Sequence, residues 1–112
     1  MSDCIFCMIG RGEIPASVVY EDDEVLAFDD IAPQAPVHTL IIPRAHYATV
    51  ADGVPPETML RVIEAIPRVA EAKGVAGSGY RVIINTGPDA AQSVHHFHVH
   101  VLGGKPMAEG MV

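Results

Sequence analysis

The apolar and polar positions of this chain predict a short helix, three strands, one long helix and two further strands. Cys4-Ile-Phe-Cys-Met-Ile-Gly10 is a brief apolar run of one or two helical turns, stopped near Gly10 and Gly12. Val18-Val-Tyr20 and Val25-Leu-Ala-Phe28 flank the acidic Glu21-Asp-Asp-Glu24, the pattern of a hairpin with a charged turn. Asp29-Asp30 leads into Ile31-Ala-Pro33-Gln-Ala-Pro36, where two prolines forbid regular pairing and predict an ordered loop. Val37 to Ile42 follows as a buried strand ended by Pro43. Met59, Ile63, Ile66 and Ala70 then recur at helical spacing, with Glu57, Arg61, Glu64, Arg68 and Glu71 mostly on the other side. Pro55 and Pro56 suit the first turn of that helix and Gly74 its stop, while Pro67 predicts a kink or an early end. Tyr80 to Asn85 is β-branched and strand-like, Thr86 to Asp89 is a turn, and His95 to Leu102 is a last strand ended by Gly103-Gly104. The expected fold class is α+β: a mainly antiparallel five-stranded sheet, one long helix against it and a short N-terminal helix.

Composition narrows the function. A chain of 112 residues, with 49% hydrophobic and 19% charged positions, has the size and balance of one globular domain spanning residues 1–112. No segment approaches the ~20 apolar residues of a membrane span, and Met1-Ser2-Asp3 lacks the basic then apolar opening of an export signal. Seven basic against fourteen acidic residues give a net charge of −7, which repels a nucleic-acid backbone. A single small anion is still admissible in a pocket rich in donors. Two cysteines without an export signal point to a reducing, cytoplasmic setting.

The sharpest chemical feature is Gln92-Ser-Val-His95-His96-Phe-His98-Val-His100-Val-Leu-Gly-Gly104. Strand alternation puts His96, His98 and His100 on one face and Phe97, Val99 and Val101 on the other, with successive imidazoles starting ~6.5–7 Å apart. Three chemistries are open to that face. Two imidazoles at i and i+2 can chelate a metal, although three from one straight strand converge poorly. A neutral imidazole can instead attack phosphorus, with neighbouring groups fixing its tautomer and steadying the charged oxygens. The third reading is a merely solvated histidine-rich strand.

The run His96-Phe-His98-Val-His100-Val-Leu102 resembles the histidine triad pattern, His-φ-His-φ-His-φ-φ with φ apolar. The likeness extends to Phe28-Asp-Asp-Ile-Ala-Pro-Gln-Ala-Pro36-Val-His38, Ile42-Pro-Arg-Ala-His46 and Gly79-Tyr-Arg-Val-Ile-Ile-Asn85, blocks similar to those of the histidine triad nucleotide-binding branch. That resemblance implies hydrolysis of nucleoside 5′-phosphoramidates or acyl-nucleotides, purine and AMP-type, through a covalent nucleotidyl-histidine. It implies His98 as nucleophile, His100 as the neighbour on phosphate oxygen, and His38 as support from the adjacent strand. It also places Ser93 and Asn85 at phosphate or leaving-group contacts, Gln92 at the start of the phosphate loop, and Asp30 and Ile31 at the ribose and base. Arg44 is expected to be solvated rather than a phosphate clamp. The resemblance implies a homodimer. A nucleotide-binding regulatory module with little turnover, a dinucleoside polyphosphate hydrolase and a zinc hydrolase using metal-activated water are the rival functions.

Cys4-Ile-Phe-Cys7 is a second constellation, since two thiolates at this spacing can share a tetrahedral ion; buried thiols are its plain alternative. In zinc-binding relatives the remaining ligands correspond to His46 and His96, with His95 as the competitor. Four protein ligands would make the zinc structural, and no catalytic metal is expected. Asp89-Ala90-Ala91 stands where relatives often carry glycines, so a stiffer phosphate loop is expected.

Overall fold

The computed structural model describes residues 4–112; Met1–Asp3, read above for the missing export signal, lies outside the described residues. Chain order is α1 (Ile5–Gly10), β1 (Val18–Glu21), β2 (Val25–Asp29), β3 (Val37–Pro43), α2 (Pro56–Ala72), β4 (Tyr80–Ile83), a 3₁₀ turn (Pro88–Ala90) and β5 (Val99–Gly103). The strands form one sheet in the order β1-β2-β3-β5-β4, with every pairing antiparallel. This is the α+β architecture that the sequence predicts.

Local chemistry explains the elements. Cys4 caps α1, its sulfur accepting the Cys7 N–H at 3.4 Å. The acidic hairpin turn closes because one Asp22 carboxylate oxygen accepts the N–H groups of Glu24 and Val25 at 2.8 and 2.9 Å. β5 ends at Gly103-Gly104, where a Cβ on Gly104 would stand 2.9 Å from Pro36 and where φ is +91°.

Strand alternation divides the sheet into two faces. Val25, Ala27, Ile41, Val99 and Val101 point to α2 and, with Val62, Ala65, Val69 and Phe97, build the larger core. Leu26, Phe28, Leu40 and Ile42 point the other way and pack on Phe6 of α1. His38 and His100 belong to this second face, so it carries the polar site. Among the described residues no helix is long and apolar enough to cross a membrane.

Three expectations need correction. β5 begins at Val99, not His95. The register pairs Ile41 with Val99, so the next rung would set Phe97 against Pro43, which has no N–H to give. That missing N–H leaves the Phe97 carbonyl without a rung, and the Pro43 carbonyl takes the His96 ring, so the Phe97 N–H donates to the Tyr47 carbonyl at 2.6 Å. β4 correspondingly stops at Ile83 rather than Asn85. In α2 the helix runs through Pro67 to Ala72, and its buried stripe is Thr58, Val62, Ala65, Val69 and Ala70. Met59 and Ile66 pack at the margin of that core, while Leu60 and Ile63 are exposed. The helix has two apolar stripes of equal period, and spacing alone does not say which one meets the sheet.

Candidate functional site

The histidines meet on the α1 side of the sheet. His100 projects from β5 and His38 from β3, the strand beside it, and their rings lie 5.1 Å apart. His98 and His96 precede the β5 ladder but keep the alternation, so both reach the face of Phe6, which sets its ring edge-on to each at 5.2 and 5.9 Å. His96 is fully buried and His98 nearly so.

Each ring has a partner that fixes its tautomer. The His98 Nδ1 lies 2.8 Å from the His96 carbonyl oxygen, which can only accept, so Nδ1 carries the proton and Nε2 the lone pair. The Gln34 backbone N–H donates to His38 Nδ1 at 3.0 Å, so the His38 proton sits on Nε2. That proton is donated to His100 Nδ1 at 2.9 Å. His100 therefore carries its proton on Nε2, a buried atom with no hydrogen-bond partner among the described residues. Burial, followed by the nearby His98 and His38 rings, pushes the His100 pKa down to about 4, so the ring is neutral at physiological pH. The face thus presents one lone pair, on His98, beside one unsatisfied donor, on His100. Such a pair suits an electrophile that carries an oxyanion.

Around these rings the predicted residues fall into distinct places. One Asp30 carboxylate oxygen accepts the Ala32 N–H at 2.8 Å and the other lies 3.5 Å from His38 Nε2. Ile31, next to it in the chain, is 99% exposed. Asn85 lies two residues beyond the end of β4 and is half-buried. Ser93 is exposed. Gln92 is buried, and its amide bonds only to backbone groups: Oε1 accepts the Gly87 N–H at 3.0 Å, and Nε2 donates to the Ala48 and Val94 carbonyls at 2.8 and 3.0 Å.

Arg44 corrects an expectation. Rather than being solvated, it ties α1 to the hairpin, donating to the carbonyls of Gly10 and Asp22 and to the Glu21 carboxylate. Most of the other cations also have partners other than the histidines. Arg11 pairs with Glu13, Arg61 with Asp22 and Asp23, and Lys73 with Asp29. Arg68 lies over the Tyr20 ring and Arg81 donates to the Ala108 carbonyl. Lys105 lines a crevice of about 420 Å³ with Gly74, Val75, Ser78, Gly79, Gly104 and Pro106, a lining without histidine or cysteine.

Cys4, Cys7, His46 and His96 form a second cluster, with all four potential ligand atoms within 4.8 Å of one another. His96 Nε2 donates to the Pro43 carbonyl at 2.8 Å, which leaves Nδ1 unprotonated and 3.5 Å from each sulfur. His46 Nδ1 lies 3.3 Å from the Cys7 sulfur. His95 is exposed and takes no part. Burial, with the Cys4 sulfur beside it, raises the Cys7 pKa, a cost that a bound cation would offset. Two sulfurs and two imidazole nitrogens converging from separate segments fit a tetrahedral divalent ion of the zinc type.

Sequence reasoning did not find Phe6 as a wall of both histidines, nor the Gln34 N–H and Pro43 carbonyl as the groups that set tautomers. Phe6 had a visible signal, its place between the cysteines; the backbone groups had none.

Known proteins resemble this chain over most of its length. The HIT domain profile matches residues 11–107. The purine nucleoside phosphoramidase of Escherichia coli (strain K12) is 46% identical over 107 residues, covering 94% of this chain and 90% of that protein. Protein HitA of Neisseria gonorrhoeae is 42% identical over 105 residues, covering 92% and 97%. A HIT family hydrolase from Clostridium thermocellum superposes with a TM-score of 0.94 at 41% identity, over 100% of this chain and 99% of that one. One from Legionella pneumophila Philadelphia 1 gives 0.90 at 44%, over 96% and 97%. With the three alternating histidines gathered on one sheet face and these matches spanning nearly its whole length, the chain belongs to the histidine triad (HIT) family.

Proposed function

We propose that this protein is a nucleotide hydrolase that cleaves nucleoside 5′-phosphoramidates or acyl-nucleotides through a nucleotide carried covalently on His98. The observation that carries the reading is the pairing of a lone pair on His98 Nε2 with the unsatisfied N–H on His100 Nε2. His98 Nε2 attacks the α-phosphorus, a nitrogen–phosphorus bond forms, and the bond to the amine or acyl group breaks. His100 donates to a phosphate oxygen as charge gathers there, with Ser93 and Asn85 as neutral donors to phosphate or leaving group. Water then attacks the same phosphorus, releasing the nucleoside monophosphate and returning the lone pair to His98. The amine takes up one proton from solvent as its bond to phosphorus breaks, the attacking water later returns one, and the carboxylate of an acyl-nucleotide leaves without one. Asp30 and the exposed Ile31 offer a ribose acceptor and an apolar surface for the base, and the name of the E. coli relative supports purine.

The placement of all seven cations argues against the rival of a dinucleoside polyphosphate hydrolase. Such a substrate brings several negative charges to a face that holds the Asp30 carboxyl and where, among the described residues, no Lys or Arg is seen bonded to the histidines. One phosphoryl charge can be met by neutral donors; a polyphosphate chain is better met by cations.

Zinc held by Cys4, Cys7, His46 and His96 belongs to the proposal as a structural ion: it would pin α1 and His46 to the peptide that orients His98. Four protein ligands would complete a tetrahedral sphere and leave no position for an activated water. The protein is further read as a single HIT domain over residues 1–112, cytoplasmic because the thiols need a reducing compartment, and homodimeric.

The test is the intact mass of wild type and His98→Ala, quenched milliseconds to seconds after mixing with an adenosine phosphoramidate. One adenylyl group on the wild type alone is the expected result. Product without any adduct, at every quench time, would favour direct attack by water. Neither adduct nor product would favour a binding module with little turnover.

A further inference from the structure

Gln92 is buried beside the proposed phosphate site, yet its amide is saturated by backbone. We infer that Gln92 is a positioning residue that sets the shape of the phosphate loop, and not a ligand of the phosphate; this rests on the nucleotide-hydrolase reading above.

The bonds define what it holds. The Gln92 N–H donates to the Gly87 carbonyl at 3.2 Å while the Gly87 N–H donates to Gln92 Oε1 at 3.0 Å, so the two residues grip each other from both sides. Between them Pro88–Ala90 make a single 3₁₀ turn, closed by the Ala91 N–H on the Pro88 carbonyl at 3.0 Å. Ala91 has φ +59°, the only left-handed residue besides glycine among the described residues, and such backbone persists only where its surroundings hold it. The two Nε2 protons extend the grip outward. One reaches the Val94 carbonyl and so fixes the turn that presents Ser93. The other reaches the Ala48 carbonyl across 44 residues of sequence. The segment it meets is anchored twice more, by the Tyr47 carbonyl on the Phe97 N–H and by His46 on Cys7. Val94 packs on the cluster around Phe6, the ring that meets His98, which places this loop on the histidine face.

Oxygen and nitrogen of the amide have separate jobs, so they can be separated by substitution. Gln92→Glu keeps an acceptor for the Gly87 N–H but sets a carboxylate oxygen against two carbonyls. Gln92→Met keeps length and bulk and removes both donors without adding charge.

The experiment measures binding of adenosine 5′-monophosphate and of adenosine to wild type and both variants, with kcat and KM on an adenosine phosphoramidate. The expected result is a loss of about tenfold in the preference for the monophosphate over adenosine, consistent with one or two hydrogen bonds. Adenosine affinity should stay within about twofold, and kcat should fall more than KM rises. A wild-type preference retained in both variants overturns the role of Gln92 alone. A parallel loss of adenosine affinity also overturns it, since it marks a general structural role. A wild type that does not distinguish the two ligands overturns this inference together with the proposed function.

Discussion

At the scale of single residues, the site is a problem of proton placement. An imidazole has two nitrogens and one proton when neutral, and its chemistry depends on which nitrogen keeps it. Here the Gln34 N–H, the Pro43 carbonyl and the His96 carbonyl decide the matter for His38, His96 and His98, and His38 decides it for His100. The same burial predicts a pH dependence of stability. The folded-state pKa of His100 is about 4 against ~6.5 in an unfolded chain, so between these values the unfolded state binds the extra proton. Stability from this group is complete above pH ~6.5 and is lost as pH falls toward about 4. Urea midpoints measured from pH 8 to pH 4 should decline across that window, and less so in His100→Asn. Identical profiles would contradict the buried, neutral ring. The shared face of His96, His98 and His100 was legible in the sequence because alternation is a property of extended backbone. Their tautomers were not, because the deciding partners are backbone atoms that every residue possesses.

At the scale of elements, two boundaries and one helix face show what pattern reading misses. Proline at position 43 was a visible strand end, but its consequence appeared one strand away, where it denied Phe97 a ladder partner and delayed β5 to Val99. In α2 the stripe through Ile63 resembles the stripe through Val62 in period and apolarity, and the one that meets the sheet is the stripe through Val62, packed with Val25, Ala27, Ile41, Val99 and Val101. The unused stripe has a consequence. Leu60 and Ile63 remain exposed on the side of the sheet where Tyr80, Val82 and Ile84 of the outer strand and its extension are also exposed. Among the described residues β4 pairs only with β5, which leaves its other edge open. An apolar face beside an open edge supports the proposed homodimer. Val82→Glu, a charge on that face, should shift the protein from dimer to monomer in sedimentation at micromolar concentration. A wild type that already sediments as a monomer would remove this reading.

At the scale of the whole molecule, the four-ligand cluster gathers Cys4 and Cys7 from the N-terminus, His46 from the end of β3 and His96 from the approach to β5. Closing loops this long costs chain entropy, and a bound ion returns it by stabilising only the folded state. The protein should therefore purify with about one zinc per chain, as measured by metal analysis. Chelation or Cys7→Ser should lower Tm by several degrees, because ~1 kcal/mol corresponds to about 4 °C or more at this size. Protein purified without zinc, with a Tm indifferent to chelator, would contradict a structural ion. Whatever depends on near neighbours in the chain could be read from residue order: the turns, the strand and helix periods, the paired thiols and the histidines that share a face. Packing of distant segments settled which stripe of α2 is buried, that His96 rather than His95 meets the sulfurs, and where each imidazole proton resides. Those outcomes depend on contacts between residues dozens of positions apart, formed by strand register and by backbone groups that leave no mark in the order of side chains.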